Sequence, residues 1–381
     1  MMNKHTAALL EQHFNTAFAA PDGIKKLREL ILTLAMQGKL VPQDPNDPPA
    51  SELLKDIETE KKRLVKDGKI KAPKPLPEIT SSDAPYALPQ DWQWVRLNDV
   101  LDVRDGTHDT PKYVDSGYPL ITSKNIYTGK LSFDDVKYIS AEDHQKICER
   151  SKVDAGDILF AMIGSIGNPV IVECDTEFSI KNVALFKYFI EGRPDNRYLH
   201  YFLTYAQENM KAISSGAVQS FVSLGFLRSY LLPLPPLEEQ HRIVTKIDQL
   251  MARCDALEKL RTAQQEKRLT VHAAAIQQLL NIAAADEHRR AQAFLTEHFS
   301  ELYTVKENVT ELRKAILQLA VMGKLVMQDP NDPPASQLLK DVESEKKRLV
   351  KEGKIKAPKQ MPEISADEIR IRCLKVGVGC V

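Results

Sequence analysis

Apolar residues recur at helical spacing near both ends of the 381-residue chain. Near the N-terminus, positions three and four apart predict an amphipathic helix that ends at about Gly38. A second helix is predicted to end at Gly68, and the proline-rich segment between the two predicts a turn. The apolar positions of the two helices are Leu27, Leu30, Ile31 and Leu34, then Leu53, Leu54, Ile57 and Leu64.

The whole pattern occurs twice. Residues 27–79, here called the first module, return as residues 312–364, the second module, without a gap. About three quarters of the paired positions are identical. Copies so far apart do not form a solenoid, in which neighbouring repeats stack directly. The duplication therefore predicts two equivalent structural positions in a pseudo-symmetric assembly.

The first module also carries a run of cations. A solvated helix face and linker is the favoured interpretation, and binding to DNA phosphates is the alternative. The cations are Lys61, Lys62, Arg63, Lys66, Lys69, Lys71 and Lys74.

Between the modules the pattern changes to short apolar runs separated by turns. Residues 156–164 and 170–172 predict a strand hairpin, residues 178–190 predict a further strand region, and residues 195–213 predict an amphipathic helix. Pro235 and Pro236 then precede a predicted helix of about 45 residues, residues 237–280.

The long helix has a narrow apolar seam with alternating spacings of four and three, which is typical of a coiled coil. The seam consists of Ile243, Ile247, Leu250, Cys254 and Leu257. This spacing predicts a spacer or an assembly device, and the alternative is an amphipathic helix that lies on a globular core.

Together these elements predict an α+β protein with a mixed α/β central domain, long helices that form a coiled-coil spacer, and a duplicated helical module. The predicted domains are residues 1–87, residues 88–236 (the central domain), residues 237–297 (the spacer), residues 298–364 and a tail of residues 365–381.

Composition narrows the class of protein. Lys and Arg total 52, and so do Asp and Glu, so any attraction to nucleic acid must be local. No apolar run reaches the ~20 residues of a membrane-spanning helix. The five cysteines show no CxxC spacing, which favours free thiols over disulfides or a zinc site. The N-terminus does not resemble a secretory signal, so we expect a cytoplasmic protein. No bound metal is expected, because the cysteines lack the spacing of a zinc site.

Two motifs suggest catalysis only weakly. Residues 46–49 and 331–334 (both NDPP) resemble the signature of amino-methyltransferases, but alanine follows where an aromatic residue must stack on a flipped base. A turn is therefore the favoured interpretation. In residues 104–111 (RDGTHDTP), Asp105, His108 and Asp109 offer an acid/base or metal-binding set, yet a polar loop that contacts a polyanion fits better.

Several passages together resemble the specificity subunits of type I restriction–modification enzymes. They are residues 88–97 (LPQDWQWVRL), 156–159 (GDIL), 163–167 (IGSIG) and 232–240 (LPLPPLEEQ) running into 242–244 (RIV). Members of that family alternate helical regions with two target recognition domains in a circularly pseudo-symmetric arrangement. The resemblance thus accounts for the duplicated module. This chain departs from the family pattern because it holds one target recognition domain instead of two.

The resemblance implies a non-catalytic subunit that binds double-stranded DNA and positions methyltransferase subunits, which bind S-adenosylmethionine and methylate adenine. With motor-nuclease subunits added, which use ATP and Mg, the complex also cleaves DNA; no cofactor is expected on this chain. Candidate DNA-binding residues are polar and cationic side chains of the predicted loops. They are Thr107, His108, Thr110, Lys112, Ser123, Lys124, Asn125, Ser165, Lys181, Asn182, Gln219 and Ser220.

A single recognition domain is expected to read one half of a two-part target. We therefore predict a homodimer, joined antiparallel through the seam of the long helix, that acts on an interrupted palindrome. Three alternatives remain: a truncated relic that binds partners but specifies no target, a coiled-coil scaffold whose central domain binds a protein, and a hydrolase that uses His108 and Asp109.

Residues 372–381 (RCLKVGVGCV) depart from the family pattern. The repeat predicts Leu-Pro-Glu/Gln-Gly/Asp-Trp from position 373, and codons for residues 372–377 read two bases later can encode Leu-Pro-Glu-Gly-Trp. The hypothesis is a reading-frame slip that left an out-of-frame tail, and the nucleotide sequence of the gene tests it.

Overall fold

The computed structural model describes residues 20, 22–72, 76–214, 221–281, 285–326, 329 and 331–357. Gln219, Ser220 and the tail of residues 365–381 lie outside the described residues. The chain divides into two compact units, residues 1–257 and residues 258–381, which are described separately. The fold is α+β, as predicted.

The helices and strands alternate irregularly along the chain. The helices are α1 (Gly23–Met36), α2 (Ala50–Lys66), α3 (Leu97–Val100), α4 (Ala141–Ser151), α5 (Asn196–Ser214), α6 (Leu224–Ser229), α7 (Leu237–Leu280), α8 (Ala285–Glu297), α9 (Phe299–Leu302), α10 (Lys306–Val321) and α11 (Ala335–Lys351). The strands are β1 (Gln93–Arg96), β2 (Leu101–Asp105), β3 (Tyr113–Val114), β4 (Tyr118–Ile121), β5 (Lys137–Ile139), β6 (Ile158–Ala161), β7 (Gly167–Ile171), β8 (Ser179–Ile180), β9 (Val183–Tyr188) and β10 (Leu231–Leu234).

The central domain contains two four-stranded sheets and a two-stranded ribbon. The sheet orders are β2-β9-β6-β7 and β3-β5-β4-β8, and β1 pairs with β10. Of these pairs, β4 and β8 run parallel and the others are antiparallel. The β6–β7 hairpin and the strands of residues 178–190 confirm the predictions made from the apolar runs.

Both faces of the sheet β2-β9-β6-β7 are buried, because its strands alternate between two apolar clusters. Leu159 of β6 and Leu185 of β9 belong to the cluster shared with Ile121 and Ile180 of the other sheet. Their neighbours Phe160 and Phe186 belong instead to the larger cluster that contains the helices. Burial of alternate residues on opposite faces follows from the two-residue period of a strand.

The first module packs against the central domain. Its helix α1 contacts α5, and α2 contacts α3. The Lys61 ammonium donates to the carbonyl of Asn98 in the central domain at 2.9 Å. The Asp47 carboxylate accepts from the Arg242 guanidinium of α7 at 2.5 and 3.2 Å. Lys61 is buried, so the predicted solvated face does not include it. Residues 45–46 lie in a turn, as predicted for the NDPP segment.

The long helix is observed over the predicted residues, as α7 (Leu237–Leu280). Its seam, however, is not available for a second chain. Ile243, Ile247 and Cys254 are completely or almost completely buried in the core that α1 and the central domain share, and Leu250 packs against that core. The prediction that these residues form a self-association seam is therefore wrong, because they are buried within the chain's own core. Leu257, the last residue of the predicted seam, is exposed.

Where α7 begins, a buried carboxylate joins it to the central domain. The indole of Trp92 donates to Glu239 at 3.0 Å, and the other carboxylate oxygen of Glu239 has no hydrogen-bond partner among the described residues. Burial raises the pKa of Glu239, because water no longer stabilises the charged form.

The second unit has its own small core. Ala315 and Leu319 of α10 pack with Ile276 and Leu279 from the end of α7 and with Leu295 of α8. None of the 17 residues of α11 is buried.

The sequence also led to predictions about membrane-spanning helices and about cysteines. Within the described parts of the chain, none of the helices combines the length and apolarity needed to cross a bilayer. Among the described residues, Cys148, Cys174 and Cys254 are not joined in disulfide bonds.

Candidate nucleic-acid interface

Four loops of the central domain converge at one end of its two sheets. They are residues 106–112 after β2, residues 122–126 after β4, residues 162–166 between β6 and β7, and residues 181–182 between β8 and β9. The strand pairing requires this convergence, because Ala161 at the end of β6 faces Val183 at the start of β9, and Ile121 at the end of β4 faces Ile180 at the end of β8.

Backbone hydrogen bonds between the loops fix their relative positions. The amide of Thr107 donates to the carbonyl of Ile180 at 3.0 Å, and that of Asn182 donates to the carbonyl of Thr107 at 3.1 Å. The amide of Lys181 donates to Ile121 at 2.9 Å, which adds the loop after β4. Thus the loops are held by the sheets and not only by side chains.

Gly106 permits the closest of these approaches. A Cβ atom at this position would lie 2.2 Å from the carbonyl oxygen of Ile180, which is a backbone atom that cannot move independently. Glycine is therefore required where the loop after β2 crosses β8.

A polar network links the loops through their side chains. His108 places Nε2 2.9 Å from the Asp105 carboxylate and Nδ1 3.0 Å from the Asn182 amide oxygen. Asp105 is buried and also accepts from the Arg150 guanidinium of α4. Its charge is thus compensated by Arg150, as a buried carboxylate requires.

Cations surround this network. The Lys181 ammonium donates to the Thr110 hydroxyl, which ties two of the loops together. Lys112 and Lys124 are exposed, and neither forms an ion pair with any residue that the structure describes. A surface with exposed ammonium groups beside polar hydrogen-bonding groups is suited to contact phosphates and base edges.

The structure thus places nine of the predicted site residues in the four converging loops, and hydrogen bonds link five of them. Ser123 and Ser165 lie half-buried in the loops after β4 and β6. The residues that converge are Thr107, His108, Thr110, Lys112, Ser123, Lys124, Ser165, Lys181 and Asn182.

Asn125 is the exception among the described residues. It is buried, and its amide oxygen accepts from the backbone amide and the hydroxyl of Thr122 at 3.0 and 3.1 Å. Its Nδ2 group donates to the carbonyls of Ser132 and Asp134 at 3.3 and 3.4 Å. Because these contacts use the whole carboxamide, the prediction that Asn125 contacts a base is not supported, and the residue instead closes a loop.

Sequence reasoning also missed residues that contact or directly follow these loops. Arg150 lies 45 positions from Asp105, so no local pattern indicated that it would compensate this carboxylate. Tyr113 and Tyr127 are exposed and directly follow the loops that contain Lys112 and Lys124. In the sequence, an aromatic residue close to a lysine in a predicted loop was a signal that could have identified them.

His108 was also a candidate for acid/base chemistry or metal binding. No group of three His, Cys, Asp or Glu side chains within the described residues is placed to hold a metal ion. Both ring nitrogens of His108 already face hydrogen-bond partners, Asp105 and Asn182. His108 is therefore an organising residue of the loop.

The sequence of the central domain matches a known protein family. Residues 89–267 match the family described as the type I restriction modification DNA specificity domain. The resemblance predicted from the sequence motifs is thereby confirmed, and the matched residues include all four converging loops and the first part of α7.

Known type I specificity subunits are similar over most of the chain. The specificity subunit of the type I restriction enzyme EcoAI from Escherichia coli is 40% identical over 376 residues, 91% of this chain and 59% of the relative. That of EcoEI, also from Escherichia coli, is 40% identical over 374 residues, with the same two coverages. The chain thus spans about three fifths of the length of these relatives. A crystal structure of an HsdS subunit from Thermoanaerobacter tengcongensis is 21% identical, with a TM-score of 0.37, over 62% of this chain and 50% of that one.

Proposed function

We propose that the chain is the DNA sequence-recognition subunit of a type I restriction–modification complex and that the four converging loops contact the DNA. The observation that carries this proposal is that nine separately predicted polar and cationic residues lie in four loops that converge at one end of two sheets, within the residues that match the specificity domain. Names of the similar proteins, which are specificity subunits of type I restriction enzymes, support the same role.

The loops supply both kinds of contact that sequence recognition needs. Lys112, Lys124 and Lys181 provide positive charge for phosphates, which fixes the protein on the duplex without reading sequence. Asn182 provides a carboxamide whose oxygen faces His108 and whose Nδ2 group has no partner in the described contacts. This N–H group is suited to donate to an acceptor on a base edge in the major groove.

As a specificity subunit, the chain would be non-catalytic and would position methyltransferase subunits that use S-adenosylmethionine to methylate adenine. ATP and Mg would be required by motor-nuclease partners, if the complex contains them. One central domain would read one half of a two-part target. The homodimer predicted from the sequence loses its interface, because the seam residues Ile243 and Ile247 are buried within the chain.

The test is DNA binding by the full chain purified with the methyltransferase subunit of the same system. A random duplex library first defines the target, and fluorescence anisotropy then measures affinity as a function of salt. We expect sequence-selective binding that weakens as salt rises, because phosphate contacts release counterions. Binding without sequence preference, or no binding of duplex DNA, would support the protein-binding scaffold instead.

Two variants and a matched control assign the surface. Lys181→Gln should weaken binding to all sequences and reduce the salt slope by about 1, whereas Asn182→Ala should cost about 1–3 kcal/mol at one base pair of the target and relax specificity there. Lys55→Gln changes an exposed lysine of α2, outside the four loops, and should leave binding unchanged. Equal effects of Lys181→Gln and Lys55→Gln would show that the loops are not the DNA surface.

A further inference from the structure

The ring of His108 lies between two groups that both present an oxygen atom to it. Its Nε2 atom is 2.9 Å from Oδ2 of Asp105, and its Nδ1 atom is 3.0 Å from Oδ1 of Asn182. The other oxygen of Asp105 accepts from the Arg150 guanidinium, so this charged carboxylate acts as an acceptor on both sides. The contact with Asp105 therefore keeps a proton on Nε2, whether the ring is charged or neutral.

The second ring nitrogen is protonated only when the ring is charged. An imidazolium has a proton on both nitrogens, so Nδ1 of His108 donates to the amide oxygen of Asn182, which is the arrangement observed. A neutral ring with its proton on Nε2 has a lone pair on Nδ1, and this lone pair repels the amide oxygen. The carboxamide of Asn182 must then turn by half a turn, so that its Nδ2 group donates to Nδ1 and its oxygen faces away from the ring.

Rotation of the carboxamide is the adjustment that the backbone leaves open. The amide of Asn182 donates to the carbonyl of Thr107 at 3.1 Å, which holds the Cα atom in place beside the loop of His108. Asn182 has a left-handed backbone, with φ of +55°, that asparagine adopts more readily than most residues. The bond between Cβ and Cγ of asparagine has a broad, roughly twofold preference, so both orientations of the carboxamide are accessible.

Charged groups from several elements surround the ring. Asp105 lies at the end of β2, Arg150 lies on α4, Asp109 lies in the same loop as His108, and Lys181 precedes Asn182 in the loop between β8 and β9. The carboxylates favour the imidazolium, and the two cations oppose it. The side chain of His108 is 54% exposed, so protons exchange freely between the ring and the solvent.

We propose that His108 is a positioning residue whose protonation selects the end of the Asn182 carboxamide that faces the DNA. When the ring is charged, Asn182 offers an N–H donor, which suits the acceptors of guanine or O4 of thymine in the major groove. When the ring is neutral, Asn182 offers an oxygen, which suits the amino group of adenine or cytosine. The base preference at one position of the target therefore changes with pH. This inference rests on the proposed function and assigns a specificity-determining pair to the same loops.

Nuclear magnetic resonance of the full chain tests the coupling without DNA. Histidine and asparagine are labelled with ¹⁵N, and spectra are recorded from about pH 5 to about pH 8, the interval in which histidine changes charge. The signals of the pair are identified as those lost in His108→Gln and in Asn182→Asp. We expect Nδ1 of His108 to lose its proton while Nε2 retains one, and the side-chain amide signals of Asn182 to move with the same midpoint. Amide signals that stay constant while His108 titrates would overturn the proposal.

DNA binding then tests the consequence for specificity. The full chain is purified with its methyltransferase subunit, and the target is the one defined by the duplex library. Affinities for the four base pairs at each target position are compared at about pH 5.5 and about pH 8, below and above the usual titration of histidine. We expect the preference at one position to change about tenfold, from bases that present an acceptor to bases that present an amino group as pH rises.

Two variants and a control separate positioning from a merely structural role. The Gln side chain of His108→Gln can donate to Asp105 and accept from Asn182, so this variant should show the high-pH preference at both pH values. Asn182→Asp suits the same left-handed backbone and presents an oxygen in either state, so it should also lose the pH dependence. His241→Gln changes an exposed histidine of α7, outside the four loops, and should keep the wild-type pH dependence.

The outcomes distinguish this inference from the proposed function. Sequence-selective binding with the same base preference at both pH values, or a pH dependence that persists in both loop variants, would overturn the role of His108 alone. Binding without sequence selectivity at either pH would contradict the proposed function and with it the effect on specificity. The titration of Asn182 with His108 would in that case still be decided by the spectra.

Discussion

Leu53 and Leu338 offer a matched test of the two modules, because the same residue occupies the same repeat position in different surroundings. Leu53 is 6% exposed in the core between α2 and the central domain, whereas Leu338 is 65% exposed on α11. Replacement of a buried leucine by alanine removes apolar contacts and leaves a cavity, which costs about 3 kcal/mol. At an exposed position the cost is below about 0.5 kcal/mol. Both sites are helical, so the change in helix propensity is the same in each variant.

Urea unfolding of the full chain measures this difference. Tryptophan fluorescence follows the first unit, and far-UV circular dichroism follows the helices of both units. With a slope of about 3 kcal/mol per M, Leu53→Ala should lower the fluorescence midpoint by about 1 M. Leu338→Ala should leave both transitions unchanged. If Leu338→Ala lowered stability as much as Leu53→Ala, the second module would not have an open face, and the reasoning would fail.

Three further variants test the interior of the first unit. Glu239→Gln should gain stability relative to wild type as pH rises above about 4.5, because burial raises the pKa of Glu239 and the wild-type fold loses stability when that carboxylate ionises; urea midpoints across pH 4 to 8 check this. A flat difference with pH would contradict it. Gly106→Ala should cost about 1–3 kcal/mol and weaken DNA binding, since its Cβ would overlap the carbonyl of Ile180; unchanged stability would show that the loop can shift. Asn125→Ala should destabilise the domain by about 1–3 kcal/mol without altering base preference in the duplex library, and a changed preference would restore Asn125 as a DNA contact.

Local patterns predicted the helices and strands well. The prolines before its start and its regular apolar spacing placed the long helix over residues 237–280, where α7 is observed. The spacing of apolar residues shows that one side of a helix must pack against other apolar residues, but it does not show whether they belong to the same chain or to a second one. The seam around Ile243 and Ile247 therefore suggested a second chain, although α1 and the central domain cover it.

The site was predictable by residue type and not by arrangement. Polar loop residues were recognised singly, whereas their convergence depends on strand pairs such as Ile121 with Ile180, which lie far apart in sequence. The role of Asn125 was missed for the same reason. A carboxamide suited to an adenine edge is equally suited to close a loop, and only its position relative to Thr122 and Ser132 decides between the two.

Because the sheet β2-β9-β6-β7 is buried on both faces, its strands and the loops at their ends are under different constraints on substitution. Substitutions in β6 and β9 must preserve the volume and shape of side chains such as Phe160 and Leu185, since each packs in a dense core. In the loops at the strand ends, exposed residues such as Lys112 and Lys124 are free of this packing requirement, whereas Asn125 and Ile126 are buried. Under the proposed function, new target sequences can therefore arise by mutation of the exposed loop residues, while the scaffold beneath them is inherited unaltered.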